Sequence, residues 1–135
     1  MNLSALAVEH LTRPRNRGPL PNATHSGLGG NEPGDGPFVQ IWLIVENGVI
    51  RQAAFQSHGC PSSIAAACVL CMLITNRELE KAVTLTPAEL IVVMGGIPEG
   101  KEIYAAMAIE ALYAACEKQR SGLLGDLVFM ADPNR

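Results

Sequence analysis

Long apolar runs and dense charge are both missing from this 135-residue sequence. No stretch reaches the length of about eighteen apolar residues that a membrane-spanning helix needs. The net charge of −3, with only 17% charged residues, gives no basic face of the kind that binds nucleic acid. The first residues lack the basic-then-apolar order of a secretory signal, so we expect a cytoplasmic protein.

The common catalytic motifs are missing as well. The sequence has no G-x-S-x-G elbow, no P-loop, no H-E-x-x-H pair and no paired-cysteine zinc spacing. Gly27–Gly30 is rich in glycine, but no helix is predicted after it, which argues against a dinucleotide-binding turn. The four cysteines lack the spacing of a disulfide framework, which favours a reducing compartment. We therefore expect that the protein is not an enzyme.

The apolar residues that are present suffice for one core. They make up 48% of the chain, and a chain of this length forms one domain rather than two. We therefore predict a single domain over residues 1–135. Residues 13–37 contain five prolines and six glycines, which predicts a long loop without regular structure. Residues 122–135 are predicted to form a tail.

Two neighbouring strands are the clearest elements of the sequence. Phe38–Glu46 and Val49–Ser57 are rich in strand-forming residues, and Asn47-Gly48 between them is typical of a two-residue hairpin turn. Helices are predicted over residues 3–11, 61–75, 78–83, 86–95 and 101–118. Strands followed by a run of helices predict an α+β fold, a small antiparallel sheet with helices packed on one face.

The junction between the second strand and the following helix has the strongest candidate for chemistry. Gly59 permits a sharp turn because it adopts positive φ without a steric penalty, and Pro61 suits the first position of a helix. Cys60 therefore lies at the helix N-terminus, where free N–H groups and the helix dipole stabilise a thiolate. A thiolate attacks electrophiles and binds metals. Simple burial is the commoner role of a lone cysteine, but this position favours a functional one.

The other cysteines and a nearby histidine have weaker claims to function. Cys68 and Cys71 have C-x-x-C spacing but lie inside a predicted helix among apolar residues, and Cys116 follows two alanines. We interpret all three as thiols of the core. His58 lies two residues before Cys60 and could assist a thiolate or ligate a metal, although a histidine in a turn is more often simply solvated.

Three motifs are distributed along the chain between His10 and Cys116. They are Pro14-Arg15-Asn16, the strand-to-helix elbow FQSHGC of residues 55–60, and GGIPEGKEIY of residues 95–104. In these motifs the chain resembles the NifU/IscU-like family of iron–sulfur cluster scaffolds. That family has P-R-N, a G-C elbow, and G-G-L-P-x-x-K-x-H-C at the start of its last helix. The resemblance implies the same α+β fold and a role in cluster assembly.

The resemblance also implies a cluster site that is assembled from three segments. Pro33-Gly34-Asp35 corresponds to the family's C-G-D, so the aspartate is present and the cysteine is replaced. Cys60 matches the second cluster cysteine, whereas Ile103 and Tyr104 replace the histidine and the last cysteine. Clusters need soft thiolate ligands, and proline and isoleucine have no ligand atom. The implied site residues for iron or an iron–sulfur cluster are therefore Cys60 and Asp35.

Three functions are compatible with this pattern. The first is a degenerate or specialised cluster assembly scaffold that binds iron or an assembly partner. The second is a sulfur carrier with a persulfide on Cys60, and the third is a regulatory or structural subunit without metal. The resemblance implies a cysteine desulfurase and an Hsp70-type chaperone as partners, with Pro98 and Lys101 in the chaperone-binding segment. A homo-oligomer is compatible with the sequence too.

Overall fold

The computed structural model of the chain describes the backbone of residues 16–128 and the side chains of residues 16–117. The strands are β1 (His25–Gly30), β2 (Phe38–Glu46) and β3 (Val49–His58). The helices are α1 (Pro61–Ile74), α2 (Leu79–Ala82), α3 (Pro87–Met94) and α4 (Glu102–Val128). The predicted helix over residues 3–11, Pro14, Arg15 and the end of the tail, 129–135, lie outside the described residues.

The sheet confirms the predicted α+β fold. Its three strands are antiparallel and lie in the order β1-β2-β3. In the predicted hairpin, Asn47 and Gly48 have φ of 53° and 78°, and a type I′ turn requires positive φ at both positions. The buried face of the sheet packs against α4, which contacts β1 and β2, and against α1, which contacts β3. Helices thus cover the apolar face.

The prediction of an irregular loop over residues 13–37 is wrong, because β1 lies inside it. The glycines that indicated a loop are needed for contact between β1 and α4. A Cβ atom at Gly27 would lie 2.2 Å from the backbone nitrogen of Ala115, and one at Gly29 would lie 2.1 Å from the carbonyl oxygen of Met107. Glycine in a strand often marks such a close approach of another backbone.

Helix α1 forms the centre of the core. Ten of its fourteen residues are buried, because it packs against β3 on one side and against α3 and α4 on others. The run of alanines at residues 65–67 is fully buried, and small side chains let neighbouring elements approach closely. A helix enclosed in this way is apolar on all faces, which explains the absence of an amphipathic pattern in its sequence.

The ends of α3 follow from local signals, whereas α4 is longer than predicted. The Thr86 hydroxyl accepts from the Glu89 N–H at 3.2 Å, and the Glu89 carboxylate accepts from the Thr86 N–H at 3.0 Å, which is a capping box. Gly95, with φ of 83°, ends α3. Helix α4 continues past Lys118 to Val128, so the predicted tail begins inside it. No helix within residues 16–128 meets the length and hydropathy that a membrane span requires.

His25, at the start of β1, is buried, although it belongs to none of the sequence motifs. Its Nδ1 atom lies 2.8 Å from the Thr24 hydroxyl, and its buried Nε2 atom has no hydrogen-bond partner among the described residues. Removal from water disfavours the charged imidazolium and lowers the pKa of His25.

Candidate functional site

At one end of the sheet, the last residue of β1, the first residue of β2 and the last residue of β3 lie side by side. Phe38 at the start of β2 pairs with Gly30 at the end of β1 and with His58 at the end of β3. The rings of Phe38 and His58 are stacked, with centroids 6.1 Å apart and planes 22° apart. Two connections leave the sheet at this end. The loop of residues 31–37 carries Asp35, and the elbow of residues 59–60 carries Cys60.

The predicted elbow at Cys60 is confirmed. Gly59 has φ of +151°, and Cys60 is the N-cap residue of α1, followed by Pro61 in the first turn. The thiol makes no capping hydrogen bond. Instead, the Cys60 carbonyl oxygen accepts from both the backbone N–H and the hydroxyl of Ser63, each at 2.9 Å. These two hydrogen bonds fix the backbone of Cys60, whereas its thiol takes no part in capping the helix.

Two distant segments and the first turn of α1 surround Gly59, the neighbour of Cys60. A Cβ atom at Gly59 would lie 3.3 Å from Cε1 of Tyr104 and 3.4 Å from Cβ of Pro37. It would also lie 3.3 Å from the Ser63 hydroxyl oxygen. The first turn of α4 and the end of the 31–37 loop therefore pack at the elbow. The sequence had not singled out Pro37 or Ser63, and neither carries a motif that would have done so.

The 31–37 loop is held at its base and exposed at its tip. The backbone N–H and the side-chain amide of Asn31 both donate to the Pro37 carbonyl, each at 2.9 Å. At the tip, the Asp35 N–H donates to the Glu32 carbonyl at 2.9 Å, and Gly34 has φ of +97°. Proline followed by glycine with positive φ is the sequence of a type II turn. Pro33 and Asp35 are therefore displayed on an exposed turn.

The turn before α4 carries the residues of the predicted chaperone-binding segment. Pro98 is half-buried and Lys101 is exposed. The Lys101 N–H donates to the Pro98 carbonyl at 3.0 Å, and the Tyr104 N–H donates to the Lys101 carbonyl at 3.0 Å. Ile103, in the position of the family's histidine, is 61% exposed. The segment is thus a surface turn that leads directly into the ring packed at the elbow.

The asparagine of the P-R-N motif fixes the chain to the strand that leads to Cys60. The Asn16 side chain donates to the Ala53 carbonyl at 3.0 Å, and its own carbonyl accepts from the Phe55 N–H at 2.8 Å. Gly18 then donates to the Phe55 carbonyl at 2.7 Å. These bonds occupy the outer edge of β3 just before the elbow. Asn16 therefore fixes the position of β3, the strand that leads to Cys60.

The four thiols of the chain fall into two groups, as the sequence predicted. Cys68, Cys71 and Cys116 are buried, whereas Cys60 is partly exposed. Burial, together with the neighbouring Cys68, raises the pKa of Cys71 far above its ordinary value. A thiol in such surroundings stays protonated and inert. Cys60 is therefore the cysteine available for chemistry.

The side chains that could bind a metal lie on separate segments. Within the described part of the chain, no three side chains among histidine, cysteine, aspartate and glutamate are grouped closely enough to hold a metal ion. The elbow contributes one thiol, the exposed turn contributes the Asp35 carboxylate, and the Tyr104 ring lies at the elbow itself. Iron–sulfur clusters are held mainly by several thiolates.

A three-stranded antiparallel sheet covered by helices, with a cysteine elbow at one end, defines an α+β domain. The model of the "NifU-like N terminal domain" family matches residues 4–122, and the chain belongs to this family.

Named relatives agree with this assignment. The chain is 31% identical over 109 residues to the iron–sulfur cluster assembly scaffold protein IscU of Aquifex aeolicus, covering 80% of this chain and 69% of that protein. It is 34% identical over 110 residues to the nitrogen fixation protein NifU of Cereibacter sphaeroides, covering 81% of this chain but only 44% of NifU.

A solved structure supports the fold. The putative scaffold protein for the SUF system from Fervidobacterium islandicum superposes with a TM-score of 0.67 at 16% identity, over 84% of this chain and 95% of that one.

Proposed function

We propose that this chain is a scaffold-like protein of iron–sulfur cluster assembly, degenerate or specialised, that binds iron or an assembly partner and is not an enzyme. The observation that carries the proposal is the packing of Tyr104 and Pro37 around Gly59, next to Cys60. It supports a shared site made from the loop, the elbow and the start of α4. Family membership and the names of the relatives point to the same role.

The cargo of this site is iron or a cluster held by Cys60 and Asp35. Pro33 and Tyr104 stand where the resemblance places two thiolates, so a single chain offers one thiolate and one carboxylate. Two ligands of different softness hold iron weakly compared with three thiolates. We therefore infer that one chain does not retain a complete cluster through its own residues.

The metal content of the purified protein tests this proposal. Protein purified anaerobically without added iron is expected to contain less than one cluster per chain, and Cys60→Ala is expected to lose the iron that remains. Iron and acid-labile sulfide analysis measures both. Cys116→Ala is the matched control, because it removes a buried thiol, and its iron content should equal that of the wild type. A stoichiometric, sulfide-containing chromophore in the wild type would contradict the proposal.

A second candidate function is sulfur transport by Cys60. It is favoured by the partial exposure of this thiol and by its freedom from the helix cap. The Cys60 thiolate would attack the outer sulfur of a persulfide on a cysteine desulfurase. A new S–S bond then forms on Cys60, and the electron pair of the broken bond stays with the desulfurase cysteine. The exchange transfers one sulfur atom without net oxidation.

Mass analysis after incubation with a desulfurase and cysteine tests the carrier function. We expect one additional sulfur atom on the Cys60 peptide and none on the peptides of the three buried cysteines. Cys60→Ser should abolish the modification, whereas Cys116→Ala should not. If the protein carries neither metal nor persulfide, a regulatory or structural subunit is the remaining interpretation.

The partners of the proposed function are components of the cluster assembly machinery. A cysteine desulfurase would have to reach the elbow at Cys60, which is partly exposed. An Hsp70-type chaperone would meet the surface turn with Pro98 and Lys101, of which Lys101 is exposed. A cytoplasmic location and a single domain over residues 1–135 belong to the same proposal.

A further inference from the structure

An apolar groove lies at the end of α1 that is remote from Cys60. It has a volume of about 410 Å³, and its lining residues are Leu73, Arg77, Leu85, Ala88, Glu89, Val92 and Val93. Since α1 has fourteen residues, the groove lies about 20 Å from the N-terminus of that helix. Val92 and Val93 are 77% and 41% exposed, which is unusual for valines on one short helix. Nothing in the proposed function uses this surface.

We propose that this groove is the interface of a symmetric homodimer, in which Val92 of each copy enters the groove of the other. In a two-fold interface the same patch serves both copies, so it must contain both partners of every contact. This patch has both partners of an apolar contact, because the exposed Val92 lines the same groove as Leu73 and Leu85.

The charges on the groove are also self-complementary. Its lining contains one cation, Arg77, and one anion, Glu89, among apolar residues. A two-fold axis brings Arg77 of one copy to Glu89 of the other, and the reverse pair forms at the same time. One oxygen of Glu89 accepts the Thr86 N–H, and a carboxylate has a second oxygen for a guanidinium. A groove with charge of only one sign would instead indicate a partner of opposite charge.

The dimer leaves the candidate site on each copy accessible. The elbow lies at the N-terminus of α1, whereas Leu73 and Arg77 lie at and beyond its C-terminal turn. The two copies would therefore present two separate Cys60 sites. Dimerisation at this surface is independent of whether Cys60 holds metal or sulfur.

Sedimentation equilibrium of the full chain over a range of concentrations tests the interface. We expect reversible dimerisation of the wild type and at least a roughly tenfold weaker dimer for Val92→Lys, since a buried unpaired charge at the centre of an interface is costly. Lysine in the last turn of α3 suits the helix dipole, so the fold should be retained. The control is Ile103→Glu, which also replaces an exposed apolar residue with a charged one. Ile103 lies at the N-terminus of α4, where an acidic group is favourable. This variant should dimerise like the wild type.

Exchange of the two charges tests the symmetry. Arg77→Glu and Glu89→Arg should each weaken self-association, because each creates two like-charge pairs. Glu89→Arg also removes one hydrogen bond of the α3 capping box, so circular dichroism must first show that both variants are folded. An equimolar mixture of the two variants should form heterodimers about as tight as the wild type, since both cross-pairs are then opposite in charge. A mixture that associates no better than the single variants would overturn the proposed pairing. A monomeric wild type, or equal dimerisation of Val92→Lys and Ile103→Glu, would overturn the interface itself.

Discussion

Alanine in place of Gly27 is expected to lower the free energy of unfolding by at least about 3 kcal/mol, a large part of the stability of an ordinary domain. The added Cβ would lie 2.2 Å from the Ala115 nitrogen and 2.4 Å from the Ala111 oxygen, both in the backbone of α4. Backbone atoms cannot rotate away as a side chain can, so β1 and α4 must separate. Urea denaturation followed by circular dichroism measures the loss.

The matched control is Gly48→Ala in the hairpin turn. A Cβ atom at Gly48 would meet nothing within 4 Å, although its φ of +78° makes alanine unfavourable there. We expect a cost of about 1–2 kcal/mol, which reflects the left-handed backbone alone. Gly29→Ala should resemble Gly27→Ala, because its Cβ would lie 2.1 Å from the Met107 oxygen. Equal losses for Gly27→Ala and Gly48→Ala would mean that β1 does not pack closely on α4.

Elements with local signals could be predicted from the sequence. Asn47-Gly48 specifies its turn because both residues tolerate positive φ, and the Thr86–Glu89 pair specifies the start of α3 through two hydrogen bonds. The elbow at Cys60 follows in the same way from a glycine before it and a proline after it. In each case the residues that determine the structure lie within four positions of one another.

Strand β1 could not be predicted, because its stability comes from distant residues. Its segment HSGLGG has low strand propensity, and the same glycines are typical of loops. They are favourable here only because α4, about eighty residues later, passes within contact distance of them. Tertiary packing thus overrides local propensity.

The candidate site was only partly accessible from the sequence for the same reason. Cys60 has a local signal, but Asp35 and Tyr104 were assigned by resemblance alone. The structure shows that the Tyr104 ring and Pro37 meet at Gly59. Iron binding by Cys60 and Asp35 stays a prediction.

The double variant Pro33→Cys, Tyr104→Cys is expected to bind an iron–sulfur cluster that the wild type does not hold. The first turn of α4 packs at the elbow of Cys60, and so does Pro37, at the end of the loop that carries Pro33 and Asp35. We expect that loop to bring the new thiol at position 33 to the other two. Thiolates are the usual ligands of iron–sulfur clusters. Pro33 lies on an exposed turn whose Gly34 is unchanged, so its replacement should cost less than about 1 kcal/mol. Anaerobic reconstitution with iron and sulfide, followed by visible absorption, measures the gain.

The control for this gain is the double variant Pro33→Ser, Tyr104→Ser. It removes the same proline and the same partly buried ring but adds hydroxyl groups in place of thiols. Loss of the Tyr104 ring destabilises both variants alike, so circular dichroism must first show that both are folded. We expect the cysteine variant, but not the serine variant, to take up iron and sulfide equivalent to about one cluster per chain. Adding Cys60→Ala to the cysteine variant should abolish this uptake. If the folded cysteine variant binds no more iron and sulfide than the serine variant, the three segments do not form one shared site.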